Sequence, residues 1–203
     1  MAHKYTEIMF TDTVKSIQSD LGSRKKYTQM EEGVTDYNNL IGPNEAAFIS
    51  ARDSLYMATV SETGWPYVQH RGGPLGFVKI LDEKTLAMPD LRGNRQYVSV
   101  GNLTKDNRVS LFFMDYPNKT RLKLLGRVEL VGLDQSEIIE KLQMPDYRGH
   151  IERGFVIKVE AFDWNCPQHI TERYTMPDIE KSVSAMQHRI TDLETELAQL
   201  KSQ

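Results

Sequence analysis

The chain has 203 residues, with 25 lysines and arginines against 28 aspartates and glutamates, and a net charge of −3. This length allows one sizeable domain with its own core plus an appendage, and the slight acidity gives no general attraction to nucleic acid or to anionic lipid. The single cysteine, the short apolar runs and the polar N-terminus exclude an intrachain disulfide and predict a cytoplasmic protein with no membrane partner.

The first 42 residues are predicted to form a helical segment. Val14, Ile17 and Leu21 recur at helical spacing, with Thr11 or Asp12 as the N-cap, and Gly22 stops this helix. A second short helix is predicted over 45–52.

Residues 43–176 are predicted to form a mainly β domain with flanking helices. The predicted strands are 55–60, 66–70, 75–81, 85–88, 108–116, 121–131 and 155–162, and further helices are predicted over 95–103 and 134–142. Tight turns such as Pro117-Asn118-Lys119 join the strands, whereas a doubly wound sheet would alternate strands with long helices. The pattern therefore predicts a closed or nearly closed antiparallel barrel.

Two clusters of polar residues lie at ends of predicted strands. The first is the run Gln69, His70, Arg71 and Gly72. The planar donors of arginine match phosphate oxygens, and glycine lets a ligand approach the backbone. A bulged hairpin corner carrying a solvated arginine explains the same residues equally well.

The second cluster runs from Asp90 to Gln96. If Asn94 caps the predicted helix, free N–H groups of its first turn point outward beside Arg95, which makes an anion site. A capped surface helix with a charged first turn is the alternative. Two such clusters close together in the chain favour a phosphate site. The five histidines lack metal-ligand spacing, so no metal site is predicted.

Five segments of the chain resemble a bacterial branch of the pyridoxamine 5′-phosphate oxidase-like FMN-binding proteins. They are 63–74, 91–103, 115–117, 121–128 and 163–169. The resemblance covers roughly residues 45–168. It implies a six-stranded split β-barrel that forms a homodimer, with FMN bound in clefts between the subunits.

The resemblance also implies a set of site residues. An Arg-Lys pair that holds the FMN phosphate in the oxidase falls on Arg95 and Gln96, so the lysine is lost. A second FMN segment of the oxidase matches only at Lys79, and Trp164 is expected near the flavin. The expected cofactor-binding residues are Gln69, His70, Arg71, Gly72, Lys79, Asp90, Asn94, Arg95, Gln96 and Trp164.

Departures from the family pattern bear on the reaction. The segment 143–153 is short and lacks the Ser-, Arg- and Pro-rich region that binds the substrate phosphate in the oxidase. We therefore expect a flavin-dependent oxidoreductase with another small conjugated substrate. A non-catalytic flavin-storage module with a partner-docking helix, or the same fold binding haem or a deazaflavin, are the alternatives. No catalytic acid or base is assigned.

The C-terminal segment 177–203 follows a heptad pattern. Its apolar residues are spaced alternately four and three apart: Ile179, Val183, Met186, Ile190, Leu193, Leu197 and Leu200. This spacing predicts a coiled coil, whereas a helix packed against its own barrel would more often show a wider apolar stripe.

Overall fold

The computed structural model describes residues 3–32, 38–164 and 167–201. Asn165 and Cys166, part of the family-like segment 163–169, lie outside the described residues. The elements in chain order are α1 (Lys4–Met9), α2 (Asp12–Asp20), α3 (Arg24–Glu31), α4 (Pro43–Ser50), β1 (Ser54–Val60), β2 (Pro66–Gly72), β3 (Lys79–Asp82), β4 (Thr85–Leu91), α5 (Val98–Lys105), β5 (Arg108–Asp115), β6 (Thr120–Val131), α6 (Ser136–Leu142), β7 (Ile151–Trp164) and α7 (Met176–Lys201).

The strands form one antiparallel sheet in the order β2-β1-β5-β6-β7-β4-β3. Strands β5 and β6 are a hairpin, paired from Arg108 with Arg127 to Asp115 with Thr120. The sheet with its flanking helices confirms the predicted α+β class and is consistent with a split barrel. The four-residue β3, which pairs with β4, brings the strands of the described chain to seven, one more than the resemblance implied.

The main core is built by alternation along the strands. Leu55 and Met57 of β1 are fully buried, as are Leu111 and Phe113 of β5, because successive side chains of a strand point to opposite faces. The same core is completed from β4, β6 and β7 by Leu86, Met88, Leu122, Leu124, Phe155 and Ile157.

Helix α6 covers a second, smaller apolar cluster. Ile139 and Leu142 of α6 pack with Ala87 of β4 and with Val131 and Val156. Strand β4 is thereby buried along nearly its whole length, which fixes the position of Asp90 near its end.

Two local predictions differ in their outcome. Thr11 precedes α2, and its hydroxyl accepts a hydrogen bond from the Val14 N–H at 3.3 Å, so the expected helix start is confirmed. The strand predicted over 75–81 is wrong in its first half, because Gly76 has a φ of 73° and Phe77 N–H donates to Pro74 O in a turn. The strand begins only at Lys79.

The chain divides into two compact units. One comprises Met1–Asp115 and Thr120–Cys166, and the other comprises Tyr116–Lys119 and Pro167–Gln203. The N-terminal helices belong to the first unit, in which α1 packs against β7. None of the helices within the described ranges has the length and hydropathy needed to cross a bilayer.

Gly126 is the position where the sheet tolerates a side chain least. An added Cβ would lie 2.7 Å from Lys158 O and 2.8 Å from Ile157 Cγ2, beside a bulge in the β6–β7 pairing. We expect Gly126→Ala to lower the free energy of unfolding by about 1–3 kcal/mol, measured by chemical denaturation. The control is Gly101→Ala in α5, where nothing lies within 4 Å and where alanine should add about 0.5–1 kcal/mol. Equal effects at both positions would contradict this explanation.

Candidate functional site

A cavity of about 200 Å³ lies where β2 and the end of β4 meet the start of α5. Six of the ten expected site residues line it, namely Gln69, Arg71, Asp90, Asn94, Arg95 and Gln96. The structure therefore brings the two clusters predicted from the sequence together at one place.

Asp90 is the central charged group of this site. Its Oδ1 accepts a hydrogen bond from Arg71 Nη1 at 2.5 Å, and its Oδ2 accepts one from Arg153 Nη1 at 2.8 Å. The Asp90 side chain is only 7% exposed and that of Arg71 only 11% exposed, and the Arg71 guanidinium lies 5.0 Å from the Phe155 ring centre. Asp90 thus serves two guanidinium groups, and the second of them, Arg153, also lies 3.9 Å from a Glu152 oxygen.

The loop before α5 corrects the prediction for Asn94. Helix α5 begins at Val98 rather than at Arg95, and Asn94 Oδ1 instead accepts a hydrogen bond from Gln96 N–H at 3.2 Å. Arg95 and Tyr97 have φ values of 61° and 55°, a left-handed conformation that a right-handed helix cannot contain. Such conformations are uncommon in residues other than glycine and cluster at functional sites.

The first turn of α5 forms part of the cavity wall. Val98, Ser99 and Val100 line the cavity, and the N-cap residue Tyr97 makes no side-chain hydrogen bond to this turn. Free N–H groups at a helix N-terminus attract anions. The helix start that the sequence placed at Arg95 therefore lies three residues later, at Val98.

A chain of polar contacts crosses the mouth of the cavity. Arg95 Nε donates to Tyr97 Oη at 3.2 Å, and Tyr97 Oη donates to Glu152 Oε1 at 3.2 Å. Arg92 Nε donates to the same Glu152 oxygen at 2.8 Å. The hydrogen bond from Arg92, with that from Tyr97, lowers the pKa of Glu152, and the bond to Tyr97 raises the pKa of Arg95. Both groups are therefore charged near neutral pH.

Strand alternation separates Arg71 from His70. Gln69 and Arg71 line the cavity, with Gln69 Oε1 accepting a hydrogen bond from Ser99 Oγ at 2.8 Å. His70 has the opposite orientation in β2, and its ring lies 5.8 Å from that of Tyr56 on β1. Gly72 ends β2 and does not line the cavity.

Lys79 and Trp164 also lie outside the lining of this cavity. Lys79 Nζ donates to Gly76 O at 2.8 Å, so its ammonium group is held in a local turn. Trp164 Nε1 donates to Glu45 Oε1 at 2.9 Å, and its ring packs edge-on against Phe48. In the protomer, both side chains stabilise other parts of the fold.

The sequence analysis missed Tyr97, Glu152 and Arg153. Glu152 and Arg153 belong to β7, which reaches Asp90 because β7 pairs with β4 from Lys158 to Ile151. The alternating strand predicted over 155–162 stopped short of them. A predicted strand that began four residues earlier would have included Glu152 and Arg153.

Comparison with known proteins identifies the family. The family model for pyridoxamine 5′-phosphate oxidase matches residues 41–159, which is more than half of the chain. The chain belongs to this family. The match includes the whole of β2, β4 and α5 and therefore most of the cavity. Among curated proteins, none matches the chain significantly in sequence.

Solved structures resemble this oxidase-family chain only distantly. HupZ of Group A Streptococcus has 14% identity and a TM-score of 0.47, covering 66% of this chain and 99% of its own. A putative pyridoxamine 5′-phosphate oxidase from Lactobacillus delbrueckii has 19% identity and a TM-score of 0.48, with 63% and 96% covered. An FMN-binding protein from Syntrophomonas wolfei has 12% identity and a TM-score of 0.43, with 76% and 97% covered.

Asp90 should be required for stability as well as for the shape of the cavity. We expect Asp90→Asn to lower the free energy of unfolding by about 3 kcal/mol, because it leaves the largely buried Arg71 without its carboxylate and removes the nearer of the two carboxylates from Arg153. The control is Asp106→Asn, since Asp106 pairs with Arg108 at the surface and an exposed pair contributes under about 1 kcal/mol. Denaturant unfolding of the two variants measures the difference, and losses of the same size would contradict the central role of Asp90.

Proposed function

We propose that this protein binds FMN, with the phosphate at the α5 cavity, and acts as a flavin-dependent oxidoreductase on a small conjugated molecule. The observation that carries the proposal is a positively charged cavity at an uncapped helix N-terminus in a member of the oxidase family. The family resemblance supplies FMN as the expected cofactor, and the cavity supplies the donors that a phosphate needs.

The donor set fits a phosphate monoester. Arginines outnumber carboxylates at and around the cavity. The carboxylates are those of Asp90 and Glu152, and the arginines are Arg71, Arg92, Arg95 and Arg153. The Arg71 Nε–H is buried and has no hydrogen-bond partner among the described residues. A buried unsatisfied donor is costly, and an anionic oxygen would satisfy it. Arg95 offers a second guanidinium at the exposed mouth.

The size of the cavity supports a site shared between two subunits. Its volume of about 200 Å³ is below the roughly 300–1,000 Å³ that is usual for a complete ligand pocket. One protomer therefore accommodates the phosphate end of FMN but not the whole molecule. A second copy of the chain would complete the walls around the isoalloxazine ring.

The outer face of β1 and β2 is the surface that we assign to this second copy. Val60 is 37% exposed, Val68 61% and Tyr56 39%, and Trp65 just before β2 is 75% exposed. Neighbouring apolar side chains exposed on one sheet face are typical of an interface. The cavity lies on the opposite face of β2, and β2 is an edge strand of the sheet, so a partner packed on this face would reach the bound cofactor around the free edge of β2.

Within this proposal, a bound FMN supplies the redox chemistry, and the protein supplies binding and electrostatics. The α5 N-terminus and Arg95 hold the phosphate. Asp90 keeps Arg71 and Arg153 in fixed positions, so that positive charge near the cofactor needs no rearrangement.

FMN binding should depend on Arg95 through the phosphate alone. We expect Arg95→Ala to weaken FMN binding by about 10- to 100-fold in a fluorescence titration, because it removes a charge-assisted hydrogen bond of about 1.5–3 kcal/mol. Riboflavin, which lacks the phosphate, should bind the variant and the unchanged protein equally well. Arg127→Ala is the matched control, because Arg127 is an exposed arginine paired with Glu160 on the sheet.

Two results would contradict this assignment. The first is an unchanged FMN affinity, and the second is an equal loss for FMN and riboflavin. The absorption spectrum of the purified protein tests the cofactor itself, since a haem Soret band or a deazaflavin spectrum in place of a flavin spectrum would overturn FMN.

Dimerisation should depend on the outer face of β2. We expect Val68→Glu to shift the protein from dimer to monomer in sedimentation equilibrium, because the new charge would be buried in the interface. Leu133→Glu is the control, since Leu133 is similarly exposed, at 54%, in the loop after β6. A dimer that persists in the Val68→Glu variant would place the interface elsewhere.

A further inference from the structure

Helix α7 exposes a continuous apolar seam. It spans Met176–Lys201, and each of its described residues is exposed. The seam residues Val183, Met186, Ile190, Leu193, Leu197 and Leu200 have between 44% and 69% of their surface accessible. Its start is fixed by reciprocal hydrogen bonds, since Asp178 N–H donates to Thr175 Oγ1 and Thr175 N–H donates to Asp178 Oδ2.

Such a helix needs a surface to cover its seam. A 26-residue helix is about 39 Å long, and most helical stability in proteins comes from packing an amphipathic face rather than from intrinsic propensity. Among the described residues of α7, none is buried. The seam, with its strict alternation of four and three residues, has the narrow form that fits another helix of the same kind.

We infer that α7 pairs with α7 of a second copy of this chain as a parallel, in-register, two-stranded coiled coil. In the heptad register, Val183, Ile190 and Leu197 occupy a positions, and Met186, Leu193 and Leu200 occupy d positions. β-branched residues at a with leucine at d favour two parallel strands. Two of the three a residues and two of these three d residues follow that preference.

Charges beside the seam select the parallel orientation. Arg189 and Glu196 occupy g positions, and Glu194 and Lys201 occupy the following e positions. In a parallel pair, each g residue faces the next e residue of the partner, so both contacts join opposite charges. In an antiparallel pair, g residues face g residues and e residues face e residues, and a single register cannot join both Arg189 with Glu196 and Glu194 with Lys201.

This inference is independent of the proposed function, because it uses only the residues of α7. It also commits to one occupant of the seam, a second copy of the same helix. The chain's single cysteine, Cys166, can be replaced by serine so that introduced cysteines report on this pairing alone.

Disulfide trapping in the full-length Cys166→Ser protein tests the pairing. Met186→Cys and Leu200→Cys are made separately, and each should cross-link to its own copy, because d residues of parallel helices meet within disulfide distance. Thr195→Cys at the outward f position is the control and should cross-link several times more slowly. These side chains are exposed in the protomer, so the substitutions do not disturb its core.

Each other result of this experiment overturns the inference. Cross-linking at only one of the two seam positions indicates antiparallel pairing, in which a residue meets its own copy only at the symmetry axis. Cross-linking at neither position means that something other than a second α7 covers the seam. Equal rates at all three positions mean random collision.

A charge exchange tests the orientation by a second route. In the Leu200→Cys protein, Arg189→Glu should slow cross-linking several-fold, because Glu194 of the partner then faces a like charge. Adding Glu194→Arg should restore the rate. Residues five apart are not neighbours on one helix, so this rescue can act only between helices, and its absence would contradict parallel pairing.

Discussion

The ion pair between Arg71 and Asp90 is the contact on which the rest of the first unit depends. It joins β2 to β4, two strands that four others separate in the order of the sheet. Within the described residues, no ladder of backbone hydrogen bonds holds these two strands together, so the sheet must curl until their side chains meet. A buried carboxylate is tolerated only when it is paired, and Asp90 has two arginine partners. The contact that draws the sheet together thus also holds Arg71 on the wall of the cavity.

Because side chains alternate between the two faces of a strand, β2 contributes residues both to the cavity and to the outer face of the sheet. In β2, Gln69 and Arg71 line the cavity, while Val68 and His70 lie on the outer face. A shift of one residue in the pairing of β2 with β1 would exchange the two sets. The register from Ser54 with Gly72 to Val60 with Pro66 is therefore a functional constraint. It couples the proposed cofactor site to the proposed subunit interface.

The sequence predicted the features that are encoded locally. The hairpin of β5 and β6, the start of α2 and the long C-terminal helix were all evident from turn residues, a capping threonine and apolar spacing. The prediction that Asn94 caps α5 was wrong, because Arg95 and Tyr97 have left-handed backbone conformations and α5 begins only after them. No residue propensity in the sequence predicts these two conformations. The pairing of Asp90 with Arg153, 63 residues away, could not be predicted, since it depends on β4 and β7 becoming neighbours in the sheet with these two residues opposite each other.

The two proposed associations have a common symmetry requirement. Pairing through the face of β2 and parallel pairing through α7 are both isologous, because the same surface is used by both copies. If both join the same two chains, one two-fold axis serves both interfaces and the assembly closes as a dimer. If they join different chains, each contact leaves the other surface free and the assembly extends beyond a dimer. The charges at Arg189, Glu194, Glu196 and Lys201 bear on the α7 pair alone, because an in-register parallel pair has its two-fold axis along the helices, and a closed dimer requires the β2 interface to share that axis.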